Sequence, residues 1–222
     1  MPDTQFGHSM KTRERLLDAA GEIFALKGFS DATVREICAK ARANIAAVNY
    51  HFGDKQKLYA AVFADLQLQS DEGSEPPDGG AGESAEDRLR GFIRQFLKHL
   101  LDPGQPSWCG RLMAREMSQP SGVFQSFVED HIRPREAKLQ AIIREIVGEL
   151  PPRIIAKCSV SVVGQMMHYH FARPVLKGIS PIYANLDQHV EELADHVTRF
   201  SLGGLRAIAD RYRKGQLAEG AA

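Results

Sequence analysis

Residues 33–55, TVREICAKARANIAAVNYHFGDK, place small and polar side chains at spacings suited to reading a DNA duplex. The Asn49 carboxamide can read an adenine edge, and Ile45, Ala46 or Ala47 can meet a thymine methyl. Such side chains need a short rigid rod to carry them into the major groove. Thr33 is a suitable N-cap, and Glu36 three residues on completes a capping box. Val34, Ile37 and Ala41 then share one helical face. A break follows at Arg42 and Ala43. Asn44 is the next N-cap, Val48 and Phe52 mark a buried side, and Gly53 supplies the left-handed stop. Two short helices joined so briefly cross steeply, as in a helix-turn-helix. The first turns of the second helix then face base edges, which puts Asn44, Ile45, Ala46, Ala47 and Asn49 near bases.

The elements around this stretch support it. A helix over residues 12–27 carries Leu16, Ala20, Ile23 and Phe24 as an inner stripe and stops at Gly28, with Phe29 completing the core. Asp54 caps a helix beginning near Lys55, with Leu58, Val62 and Leu66 inward. The combination of Thr12-Arg13-Glu14-Arg15-Leu16-Leu17, Ile23-Phe24, Lys27-Gly28-Phe29, Thr33-Val34-Arg35-Glu36-Ile37 and Asn49-Tyr50-His51-Phe52-Gly53-Asp54-Lys55 resembles the DNA-binding head of the TetR (tetracycline-repressor) family of bacterial transcriptional regulators. The resemblance covers roughly a quarter of the chain. It implies that Thr33, Tyr50, His51 and Lys55 hold phosphates, contacts that fix register while base contacts specify. One residue departs from the pattern: Arg42 stands in the turn where the family usually has glycine. Few long polar side chains point at bases, so Arg42, water or DNA shape is expected to share in the sequence preference.

At 222 residues, 43% hydrophobic and 25% charged, the composition is that of an ordinary soluble protein. Net charge is zero, so affinity for DNA must come from local arrangement, and a non-specific DNA-coating protein is disfavoured. The three scattered cysteines, Cys38, Cys109 and Cys158, fit a reducing compartment. No signal peptide or membrane-length apolar run is present, and a cytoplasmic location is expected.

Beyond the head the signals are helical throughout, so the expected fold is all-α: a three-helix head over residues 1–54 and a ligand-binding and dimerisation bundle over 55–222. Residues 70–86, acidic and rich in Gly and Pro, read as a long loop. Gly80-x-Gly82-x-x-Ala85 within it formally matches a dinucleotide fingerprint but follows no strand, and is rejected. Leu89, Phe92, Ile93, Phe96, Leu97 and Leu100 define one amphipathic helix, and a shorter one spans about 108–117. The next, over 123–149, should kink at Pro134, with Leu139, Ile142, Ile143, Ile146 and Val147 inward. Pro151-Pro152 open a helix through Phe171, closed by Pro174 and Gly178. A last helix over 186–213 is expected to turn Val190, Leu193, Val197 and Phe200 inward.

In this body Trp108, Met113 and Met117, with Met166, Met167, Tyr169 and Phe171, are adaptable pocket liners, though such residues fill ordinary cores equally well. The resemblance implies an enclosed small-molecule pocket, with Arg111, Glu116, His168 and His170 as polar neighbours that could orient an effector. His168 and His170 point about 200° apart on a helix, so one ion cannot take both. Glu192 and His196 could share a face, but a surface pair is the simpler reading, and no metal or cofactor is expected. The motif search finds no nucleophile elbow, H-E-x-x-H or P-loop, and catalysis is not expected. In the family the last two long helices pair with their copies. Gly203-Gly204 would let two helices approach closely, although each glycine weakens a helix. The expectation is a homodimeric repressor on a palindromic operator, released by a small ligand. The alternatives are a regulator of the same fold without a ligand, and then a helical enzyme or interaction module.

Overall fold

The computed structural model describes residues 3–71 and 82–215, with side chains placed over 10–65 and 82–215. Among the described residues it is all-helical: α1 (Asp3–Asp31), α2 (Val34–Ala41), α3 (Ile45–His51), α4 (Lys55–Asp71), α5 (Ala85–Leu101), α6 (Cys109–Ser118), α7 (Gly122–Phe127), α8 (Arg133–Val147), α9 (Pro152–Phe171), α10 (Arg173–Ile179) and α11 (Val190–Arg213). Most of the expected 70–86 loop, and with it Gly80 of the rejected fingerprint, lies outside the described residues.

The chain forms two compact units, and they do not follow a division after residue 54. The first contains α1–α4 together with α6 and α7, the second α5 and α8–α11. The reason lies in the apolar side chains. Leu58, Tyr59, Val62 and Phe63 of α4 join Leu16, Phe24, Ile37 and Val48 in one core, and so do Trp108, Leu112, Val123 and Phe124. Phe24 and Tyr59 meet edge to face at 4.5 Å, Tyr59 and Phe63 at 5.1 Å, and Phe63 touches Phe124 and Phe127 at 5.4 and 5.0 Å. Each such ring pair adds about 0.5–1.5 kcal/mol beyond its burial.

The α6–α1 contact is close enough to need glycine at 21, where a Cβ would lie 2.3 Å from the Trp108 ring; beside Gly28 lies the Arg115 guanidinium. Trp108 Nε1 donates to Asp18 Oδ1 at 2.9 Å. Arg115 Nη2 donates to the Lys27 carbonyl at 3.0 Å. That bond reaches the backbone next to the break of α1 at Gly28, whose φ of 80° lies in the left-handed region. On α6 the buried Glu116, 2% exposed, accepts from the Tyr59 hydroxyl and from Ser121 N–H at 2.7 Å. Burial first, and then the Glu116 carboxylate, push the Tyr59 hydroxyl far above its ordinary range.

In the second unit Leu89, Ile93, Leu97 and Leu101 of α5 pack with Leu139, Ile143, Ile155, Val162, Met166, Val197 and Leu205. The disturbance expected at Pro134 falls in the turn before it, where Val128–Ile132 form a π-helical turn; the wider turn makes room for the proline ring beside the carbonyl four residues back. Two expectations need correction here. Pro174 does not close a helix: it occupies the first turn of α10, where no amide hydrogen is needed. Phe200 is not inward. It is 68% exposed, while Val190, Ala194, Val197, Ser201 and Leu205 form the buried stripe of α11.

Candidate nucleic-acid interface

The helix-turn-helix is built by local rules. Glu36 N–H donates to Thr33 Oγ1 at 3.2 Å and Thr33 N–H to Glu36 Oε2 at 3.1 Å, the reciprocal capping box. Asn44 Oδ1 accepts from Ala46 N–H at 3.0 Å and starts α3. Gly53, at φ 88°, ends it. Between the two helices Arg42 adopts φ 51° and ψ 46°, the left-handed conformation that a side chain makes costly by about 1–2 kcal/mol. Two ion pairs tie α2 to α1: Lys27 with Glu36, and Lys40 with Glu22 at 2.7 Å. The hydrogen bond from Lys27, followed by those from Thr33, holds the Glu36 carboxyl below the usual glutamate range.

Val48 is fully buried and seats α3 on the core. The other side of α3 is open: Asn44, Ile45, Ala46, Asn49 and Tyr50 are exposed and Ala47 is half-buried. Tyr50, at 81% exposure, holds its hydroxyl out to solvent beside the half-buried His51, the two rings edge to face at 5.0 Å. An isolated apolar side chain such as Ile45 on this face is suited to a thymine methyl, and Asn49 to an adenine edge. Two of the residues matched to phosphates are engaged within the chain. The Thr33 hydroxyl donates to Glu36 Oε2 at 2.9 Å, and Lys55 Nζ donates to the Ser30 carbonyl at 3.1 Å while lying 4.7 Å from the Phe29 ring centre. Arg35, exposed on α2 and without an ion pair among the described residues, was not among the sequence candidates. Its position in the first turn after Thr33, away from the Ile37 face, was the available signal. Arg13, over the Phe52 ring at 5.7 Å, brings a further cation to the end of α3.

The residues picked as pocket liners divide between the two units. Trp108, Arg111, Met113 and Met117 belong to the first: Trp108 is a core residue, Met113 packs against that core, and Arg111 and Met117 are exposed. Met166, Met167, His170 and Phe171 belong to the second. Met166 is fully buried in the core there, Met167 is half-buried, and Phe171 is exposed. The half-buried His170 donates from Nδ1 to the Leu100 carbonyl at 2.7 Å. His168 is exposed. A groove of about 300 Å³ in the second unit is lined by Lys98, Leu101, Asp102, Asp187, Gln188 and Glu191 among others, and by none of the pocket candidates. Among the described residues no group of three or more His, Cys, Asp or Glu could hold a metal. Glu192 pairs with His189 at 3.5 Å, while His196 stacks on Phe200. All three cysteines are buried and unpaired, and burial raises each thiol, Cys109 to about 11. No helix among the described residues is long and apolar enough to cross a membrane.

Comparison with known proteins matches the chain in two contiguous blocks, the second of which includes α6 and α7 of the first unit. The model for bacterial regulatory proteins, tetR family, matches residues 16–62. The model for the C-terminal domain of the HTH-type transcriptional dual regulator CecR matches residues 85–205, more than half of the 222. The chain is 44% identical over 57 residues to the HTH-type transcriptional regulator SrpR of Pseudomonas putida, a match covering 26% of this chain and 27% of that protein. Among solved structures it is similar to the TetR family transcriptional regulator PfmR from Thermus thermophilus, with a TM-score of 0.57 at 17% identity over 84% of this chain and 95% of the other. It is also similar to AibR, solved in complex with isovaleryl coenzyme A and operator DNA, with a TM-score of 0.54 at 16% identity over 72% and 85% of the two chains.

Proposed function

Since this chain belongs to the tetR family of bacterial regulatory proteins and carries a CecR-type C-terminal domain, we propose that it is a cytoplasmic repressor released from a palindromic operator by a small molecule. The observation that carries the DNA half of this reading is the two-sided character of α3. Its Val48 side is sealed in the core, and its Ile45, Ala46, Asn49 and Tyr50 side is open. In this reading Asn44, Ile45, Ala46, Ala47 and Asn49 face bases, and Thr33, Tyr50, His51 and Lys55 hold phosphates, with Thr33 and Lys55 exchanging their internal partners on binding. The protein acts by binding and not by turnover.

Two recognition helices are needed for a palindrome, and the outer faces of α9 and α11 are the proposed dimer contact. Val160 on α9 and Phe200 on α11 are exposed, and a Cβ added at Gly164, Gly203 or Gly204 would meet nothing within 4 Å. Packing within the chain therefore does not account for these glycines; a closely approaching second copy does.

The proposed effector acts by population shift: bound in the helical body, it favours a head spacing that no longer matches two half-sites. A hundredfold loss of operator affinity requires about 2.7 kcal/mol of coupling. AibR, crystallised with an acyl-coenzyme A and its operator, makes small acyl thioesters a sensible first class of effector to try.

The test is fluorescence anisotropy of the purified protein on DNA from its own upstream region, with unrelated duplex as competitor. Saturation at one dimer per palindrome in the presence of competitor, reversed by an effector, is the expected result. Binding erased by competitor would count against the repressor reading. Binding that survives every candidate effector would favour a regulator controlled by its own concentration.

A further inference from the structure

Arg42 is the single non-glycine residue at positive φ among the described residues. Such a conformation persists only where the surrounding fold imposes it, and it is retained most often at sites that use it. Inside the chain the arginine has no employment. Its side chain is exposed and makes no ion pair or hydrogen bond among the described residues. Three nearby lysines differ: Lys27 is matched by Glu36, Lys40 by Glu22 at 2.7 Å and Lys57 by Asp54 at 4.0 Å; Arg35 on α2 shares with Arg42 the lack of an ion pair among the described residues. The adjacent α3, IAAVNYH, contains no carboxylate that could neutralise a guanidinium.

We propose that Arg42 contacts a DNA backbone phosphate at the edge of the groove that α3 enters, an assignment that rests on the regulator reading above. In a protein of zero net charge, an unneutralised guanidinium in the turn directly before the recognition helix adds to the local attraction for a polyanion. The contact is to charge and not to sequence, so it strengthens binding to any duplex. Glycine at this position would relax the backbone and remove the charge together, so fold stability and DNA affinity move in opposite directions.

The experiment compares the full-length protein with Arg42→Gly and Arg42→Lys over a salt series. Two duplexes are used: an upstream fragment that the unaltered protein holds against competitor, and an unrelated sequence. Arg42→Gly is expected to raise the thermal midpoint by about 2–4 °C. It should weaken binding to both duplexes by about tenfold and reduce the slope of log K against log salt by about 0.9. Arg42→Lys, with the charge kept, should retain the slope and most of the affinity. Unchanged affinity and slope in Arg42→Gly overturn the proposal. So does a loss confined to the upstream fragment that Arg42→Lys shares, which would mark a bidentate base contact. If the unaltered protein holds no upstream fragment against competitor, the regulator reading falls and takes this assignment with it; the first two failures leave that reading standing.

Discussion

Glu36 and Glu116 are both carboxylates in the head unit, yet they answer to different conditions. Glu36 is half-buried, and its carboxyl is held below the usual glutamate range first by Lys27 and then by Thr33. A folded-state pKa below the unfolded value means that the unfolded chain takes up its proton first as pH falls. The stabilisation is therefore complete above about pH 4.3, the ordinary glutamate value, and is lost as pH drops from there through the folded-state value. Glu36→Gln should lower the urea midpoint at pH 7, and the gap to the unaltered protein should close by about pH 3. A gap constant across that range would show that the charge is not what Glu36 contributes. Glu116 works by satisfying buried donors. Tyr59→Phe leaves one of its oxygens without that donor and should cost about 1–3 kcal/mol in denaturant unfolding. The Glu36 arrangement was legible in the sequence because a capping box spans three residues. The Tyr59–Glu116 bond was not, since its partners lie 57 residues apart and nothing in either local pattern names the other.

At the scale of elements, the helix-turn-helix could be read from residues 33–55 because caps, stop glycine and apolar spacing are all local signals, and each is present in the structure. Trp108 was ambiguous for the opposite reason. A tryptophan on a short helix suits a ligand pocket as well as a core, and only its distant partners Gly21 and Asp18 decide between them. Those partners set an expectation. Gly21→Ala drives a Cβ into the indole, so α6 must lift from α1 at a cost of about 1–3 kcal/mol. Trp108 is the lone tryptophan of the chain, and its emission should shift to longer wavelength in this variant before global unfolding. Emission identical to that of the unaltered protein would mean the contact yields without opening. Phe200 exposes a further limit of periodicity: a helix that carries apolar side chains on its exposed face as well as on its core face shows two stripes, and spacing alone does not say which is which.

At the scale of the whole molecule, exposed Phe200 gives the dimer proposal a clean test. Phe200→Glu leaves the buried stripe of α11 untouched, so helicity and unfolding should change little. Sedimentation should report monomers at micromolar concentration, with operator affinity falling by more than tenfold as the second half-site contact is lost. A variant that stays dimeric would move the interface elsewhere. The head unit has a different lesson, because it is not one stretch of chain. Its core is completed by α6 and α7, which follow α4 only after the chain has passed through the second unit as α5. This bears on inheritance. A recombination event that exchanged residues 1–54 with those of a relative would deliver a foreign surface to Trp108 and Arg115; any residue other than glycine would arrive at 21 as a clash with the indole and at 28 in a strained backbone. With α3 as the proposed recognition helix, DNA specificity can change on its outer side alone, whereas wholesale replacement of the head demands matching changes some 90 residues downstream.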